Sequence, residues 1–311
     1  MKQSLLFCAL LIGFFCTAEA QQITNDASIA DSLREAGELE LAIIEHRKVF
    51  QQDPSDQNNL YNFACILALK NQKDSAFHYL NILAEKDSSV RILNDADFYY
   101  LIGDDRWKVV QKTLTTNMET KYGKDGQYAN LELSQELWTM KIKDQAFYYQ
   151  IELANEQLGV KSPVYQALWE LKHIINAENQ ARLDEIIAQH GWPKSSEVKG
   201  SAAGAAFLIV QHAGIDYQEK YLPLMRAAAD KGEASWSSLA LLIDRVNLRQ
   251  GKQQIYGSQI YRNDDGSYYV KDLMAPEYVN QRRDKVGLPP IEVYVKNWDI
   301  EWTIEQKEKK E

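Results

Sequence analysis

IADSLREAGELELAIIEHRKVFQQDPSDQNNLYNFACILALKNQKDSAFHYLNIL, residues 29–83, carries one pattern twice. Ile29, Ala30, Leu33, Ala42, His46 and Val49 align with Phe63, Ala64, Leu67, Ala76, Leu80 and Leu83 at an offset of 34 residues. Each copy is an apolar stripe at helical spacing, a polar turn and a second stripe. The turns fall around Gly37 and around Asn71-Gln72-Lys73. Small residues at 30, 42, 64 and 76 stand where two helices must approach closely, and Pro54 ends the second helix of the first pair. The stretch therefore predicts stacked helical pairs.

In period and in small and large positions, residues 23–90 resemble the tetratricopeptide repeat family, though the usual tryptophan and a glycine of the first helix are missing. A third unit, Arg91 to about Leu114, departs further: Asp97 and Phe98 occupy positions that should be apolar and small. ILNDADFYYLIGDDRWKVV within it resembles a segment that caps such arrays in secreted proteins, where an end of the stack would otherwise stay unburied. The resemblance implies recognition of a protein or peptide partner through residues 21–115, on a concave face that Tyr61, Tyr79, Tyr99 and Tyr100 could line. Trp107, Trp138 and Trp169 read as anchors between helices.

TTNMETKYGKDGQYAN breaks the periodicity and predicts a connector at 116–130. A second helical domain follows over 131–296. LELSQELWTMKIKDQAFYYQIELANEQLG predicts helix up to Gly159, Ser162-Pro163 opens another, and AENQARLDEIIAQHG reads as a further one. KGSAAGAAFLIVQHAG is small on nearly every face, which suits a central helix. SWSSLALLIDRVNLRQG opens at a serine cap near Ser235 and places Asp244 and Arg245 inside an apolar stretch, where a charge needs a partner. Residues 255–271 read as a β-hairpin about NDDG, with Gly257 marking a bulge or a close approach.

The polar residues of this domain form the candidate site. His212 would act as general base or acid with Asp244 orienting it, and Gln211, Gln254, Tyr256 and Gln259 would fix a polar ligand. Arg245, Arg282 and Arg283 would hold a carboxylate or phosphate, and Ser258 is the nucleophile candidate of a hydrolase. The same residues could instead tie the hairpin to the helices. GWP (191–193), QHA (211–213), LPL (222–224), LIDR (242–245), QIYGSQ (254–259) and RRDKVGL (282–288), with ENQARLDEII upstream, resemble an uncharacterised bacterial domain of unknown function over about residues 130–295. That resemblance brings no activity with it, and Ser258 stands where threonine is more usual.

Composition narrows the classes. The net charge of -9 argues against nucleic acid as a partner. Lys2, the apolar run Leu5 to Cys16 and Ala18-Glu19-Ala20 predict a signal peptide over 1–20, hence a periplasmic or extracellular protein. Phe15 before Cys16 disfavours lipid attachment, and no later run is long enough for a membrane span. The mature chain keeps only Cys65, in a helical apolar pattern that suits a core residue. The five histidines form no close metal-binding pair, so no metal or cofactor is expected. EQKEKKE closes a charged tail, 297–311, expected to be solvated. The expectation is a mainly α protein: a short tetratricopeptide-like array of helical pairs followed by a helical domain with a small hairpin. It would be either an exported interaction protein or a hydrolase.

Overall fold

The computed structural model describes residues 28–263 and 265–307, so the predicted signal segment, with Cys8 and Cys16, lies outside the described residues. The fold is mainly α, and among the described residues its one sheet is a two-stranded antiparallel hairpin. Two compact units divide the chain as Met1–Gln127 with Gln145–Trp169, and Tyr128–Asp144 with Glu170–Glu311.

In the first unit the two stripes of each copy become helices: α1 over 28–35, α2 (Leu39–Gln52), α3 (Gln57–Leu69) and α4 (Lys73–Ala84). Ala30, Ala42, Ala64 and Ala76 are fully buried, as close helix approach requires. The Asp56 carboxylate caps α3 by accepting from the Asn58 and Asn59 N–H groups. His46 sits at a core position, fully buried, with Nδ1 2.8 Å from Asn59 Oδ1, while Asn59 Nδ2 donates to the His46 carbonyl. Burial pushes its imidazole below the ordinary histidine range.

After α5 (Arg91–Asn94) and a 3₁₀ turn at Ala96–Phe98, α6 runs over Asp105–Tyr122, with a further turn at Gly123–Gly126. Helix and turn thus fill much of the stretch that composition marks as a connector. The first unit also takes in α8 (Tyr148–Leu158) from later in the chain. The Tyr149 hydroxyl meets the carbonyls of Arg34 and Glu35, and Leu153 lies so close to Gly37 that a Cβ there would come within 2.7 Å.

α7 (Leu131–Gln145) and α9 (Pro163–His190) carry the chain between units. The helical run expected up to Gly159 is broken by Phe147 at φ 73°, and the two helices expected over 163–190 are one. In the second unit α10 (Ser195–His212) is mostly buried and packs against α11 (Ile215–Ala229) and α12 (Trp236–Arg249). The close-packed positions are the alanines, Ala202, Ala205 and Ala206; a Cβ at Gly200 or Gly204 would meet nothing. Trp138 of α7 donates to Ser201 Oγ at 3.0 Å.

β1 (Ile260–Arg262) and β2 (Tyr268–Val270) pair with Ile260 opposite Val270. α13 (Val279–Asp284), α14 (Ile291–Tyr294) and a turn at Val295–Trp298 complete the unit. The tail departs from the solvated expectation. Ile300 and Trp302 pack against Val279, Ile291 and Val295, and the Lys307 N–H donates to the Glu277 carbonyl.

Candidate functional site

The hairpin predicted to start at residue 255 starts at Ile260, and Asp244 is the reason. Its carboxylate, fully buried in the middle of α12, accepts the N–H groups of Ile255, Tyr256 and Ser258 at 2.7–3.2 Å. Three amides turned on one carboxylate curl the backbone, so residues 255–259 cannot alternate as a strand. Gly257, at φ 66°, supplies the left-handed residue of the curl, with Leu273 and Ile291 side chains pressed against it. Burial pushes the Asp244 carboxyl above its usual range, against the lowering effect of its three backbone donors.

The carbonyls of the curl are gripped as closely. Arg282 Nε donates to the Ile255 carbonyl at 2.7 Å, Arg283 Nη1 to that of Tyr256 at 2.6 Å, and the Tyr294 hydroxyl to that of Ser258 at 2.8 Å. Gln254 closes the loop: its Nε2 donates to the Gln259 carbonyl at 3.0 Å, and its Oε1 accepts the Gln259 N–H at 2.7 Å. Arg245 reaches Gln259 Oε1 at 2.9 Å and the Gln211 carbonyl at 2.7 Å. Gln211, Asp244, Gln254, Ser258 and Arg283 are all buried. The polar set therefore converges, but on its own backbone.

The carboxylate on His212 is a different aspartate. The imidazole Nδ1 lies 2.8 Å from Asp144 Oδ2, at the end of α7, so the orienting carboxylate expected at 244 is at 144, because Asp244 is taken up by the curl. Lys172 of α9, fully buried, donates to the carbonyls of Lys143 and Asp144 and so caps the C-terminus of α7. Burial lowers its ammonium to about 8, partly offset by Asp144. Nothing in the apolar pattern around 144 or 172 distinguished these residues from ordinary solvated helix charges.

A second feature lies within the first unit. A half-open cleft of ≈ 60 Å³ is lined by Asp97, Tyr99, Tyr100, Phe147, Tyr149 and Gln150, among others. Tyr99 and Phe147 meet edge to face at 4.9 Å, and Tyr100 meets Tyr99 at 5.5 Å. Phe147 holds its place only through a left-handed backbone that a bulky side chain rarely adopts. Asp97, anomalous in the repeat pattern, pairs with Arg34. Of the four tyrosines suggested by the repeats, Tyr99 and Tyr100 reach the cleft. Tyr61 is occupied by Asp95 and Arg91, and Tyr79 packs between Phe50 and Phe63. The doublets Tyr99-Tyr100 and Tyr148-Tyr149 were the available signal for the rest.

Cys65, Asp95 and Asp97 bring ligand-type atoms within 4.8 Å of one another, the one such trio among the described residues. Tyr61 and Arg34 already engage the two carboxylates, and burial pushes the thiol well above its ordinary range.

Fold and site together define a helical protein of two units, one bearing an aromatic cleft and the other a loop clipped by buried charge. The family of unknown function DUF6624 matches residues 131–307, and the chain belongs to that family. The match takes in the whole clip. No curated protein and no solved structure matches the chain.

Proposed function

We propose that this is an exported interaction protein whose N-terminal, tetratricopeptide-like unit grips a segment of a protein partner in the cleft beside Tyr99 and Tyr100. One observation carries the reading: the cleft combines aromatic walls with a carboxylate, whereas the polar groups of the 254–259 loop are consumed internally. A concave, mostly aromatic recess with a few polar groups is the usual form of a recognition site. The second unit, which carries most of the DUF6624 match, then serves as a rigid companion braced by Asp244, Arg282 and Arg283, while the matched residues Phe147, Tyr149 and Gln150 contribute to the cleft.

The test is selection of random peptides on the immobilised mature chain. Peptides should be enriched, and Tyr100→Ala should weaken them by roughly tenfold while leaving the melting temperature nearly unchanged, since Tyr100 is 39 % exposed. No enrichment, or enrichment indifferent to Tyr100→Ala, would remove the reading.

A hydrolytic alternative rests on the His212–Asp144 pair. A carboxylate on Nδ1 orients an imidazole for proton transfer at its other nitrogen. Ser258 is 6 % exposed and its hydroxyl accepts from Gln259 Nε2, so the nucleophile in this reading is water. Turnover of simple esters, abolished by His212→Gln in a protein of unchanged stability, would support it; an inert wild-type chain would sink it.

A further inference from the structure

We infer that the cleft of the first unit takes the cationic head of a lysine or arginine side chain. This rests on the reading of the unit as a peptide-binding module and names the chemistry it selects.

Size comes first. A recess of ≈ 60 Å³ exceeds the roughly 10–15 Å³ that a single water needs and stays at the scale of a side-chain head group. The walls come next. Four aromatic residues, Tyr99, Tyr100, Phe147 and Tyr149, surround the space, and aromatic faces attract cations at ring distances below about 6 Å. Tyr149 cannot swing away, because its hydroxyl is fixed on the carbonyls of Arg34 and Glu35. Phe147 packs edge to face on Tyr99.

Charge then decides between an apolar and a cationic occupant. Asp97 belongs to the lining, and its carboxylate oxygen lies within 4.8 Å of one from Asp95. Arg34 is the guanidinium paired with Asp97, while Arg91 sits over the Tyr61 ring and pairs with Asp87. Among the described residues the one ion pair to these neighbouring carboxylates is Arg34–Asp97, and Asp95 is held by the neutral Tyr61 hydroxyl. The imbalance shows in Asp97 itself: burial, and then Asp95, push its carboxyl up even though Arg34 pulls it down. An added cation relieves that repulsion; an anion would worsen it. The net charge of -9 favours approach of a cationic ligand.

The experiment uses the whole mature chain with 3-fluorotyrosine placed at position 100, titrated with the N-acetyl methylamides of lysine, arginine, Nε-acetyl-lysine, norleucine and glutamate. Lysine and arginine amides should shift the fluorine resonance saturably. Norleucine and acetyl-lysine, which keep the length but lose the charge, should bind roughly fivefold more weakly or less. Calorimetry on Asp97→Asn should show the preference for lysine over norleucine collapsing; should that variant fail to fold, Tyr100→Leu, at an exposed wall, must reduce lysine binding instead. Equal binding of norleucine and lysine, or no saturable shift with either cation, overturns the inference. Peptides selected without enrichment of lysine or arginine at a fixed position would overturn it while leaving the peptide-binding module intact. A lysine shift with no peptide selected would do the reverse.

Discussion

The two polar regions of this protein differ in what their hydrogen bonds are for. Around Asp244, donors and acceptors from α12, the 254–259 loop and α13 are mostly matched inside the domain, with Asp244, Gln254, Ser258 and Arg283 buried. In the cleft of the first unit fewer polar groups face a recess that is open to solvent and walled by rings. The richer cluster is the brace and the sparser one is the candidate site. Density of hydrogen-bonding residues in a sequence measures how much backbone needs satisfying as readily as it measures ligand binding, because an unpaired buried peptide group costs about as much as a lost hydrogen bond.

The largest expected effect is Asp244→Ala. It leaves three N–H groups, one buried and two half-buried, without an acceptor and strips Arg282 and Arg283 of a nearby counter-charge, so chemical denaturation should show a loss of about 3–5 kcal/mol. A loss under about 1 kcal/mol would mean that the clip is not a brace, and the comparison would fail at its stronger end. Arg283→Met comes next, at about 2–3 kcal/mol, since it frees the carbonyls of Tyr256 and Pro289 while keeping much of the contact with the Tyr294 ring. Comparing the two separates the carboxylate from the cation.

Lys172 gives a test in pH. Its ammonium releases the proton at about 8 in the folded chain and at 10.5 unfolded. Between these values the unfolded state binds more protons, so this group makes stability rise with pH across that window and contributes no slope below it. In Lys172→Met that rise should vanish. The difference between wild-type and variant unfolding free energies isolates it, because tyrosine ionisation above pH 10 affects both proteins alike. Parallel curves from pH 8 to 10.5 would show that the ammonium is not desolvated.

The smallest stability effect belongs to the cleft. Tyr100→Ala should cost no more than about 1 kcal/mol by the same denaturation measurement. If it costs several, Tyr100 is core rather than wall, and the two regions are alike after all.

Much of the helical scaffold was legible because helix periodicity and helix ends are local. Ser162 accepts the Tyr165 N–H and Ser235 that of Ser238, as their capping positions suggest, and the four small residues of the 34-residue pattern are buried. The hairpin was half legible. The segment from Ile255 looked like a strand because it is rich in Ile and Tyr and precedes the NDDG turn, while the carboxylate that bends it lies 11 residues earlier on a helix. The partner of His212 was not legible at all, since Asp244 was the expected carboxylate and nothing local to Asp144 shows that it folds beside the imidazole.

Residue order alone determined which segments are helical, where most of them stop and which small residues lie at their contacts, because backbone propensity and capping act within a few residues. Tertiary structure alone decided which charges are spent and which face a recess: Asp244 on three amides, Asp144 on His212, Asp97 beside four rings. A carboxylate's role depends on the donors that reach it, and here those donors arrive from distant parts of the chain.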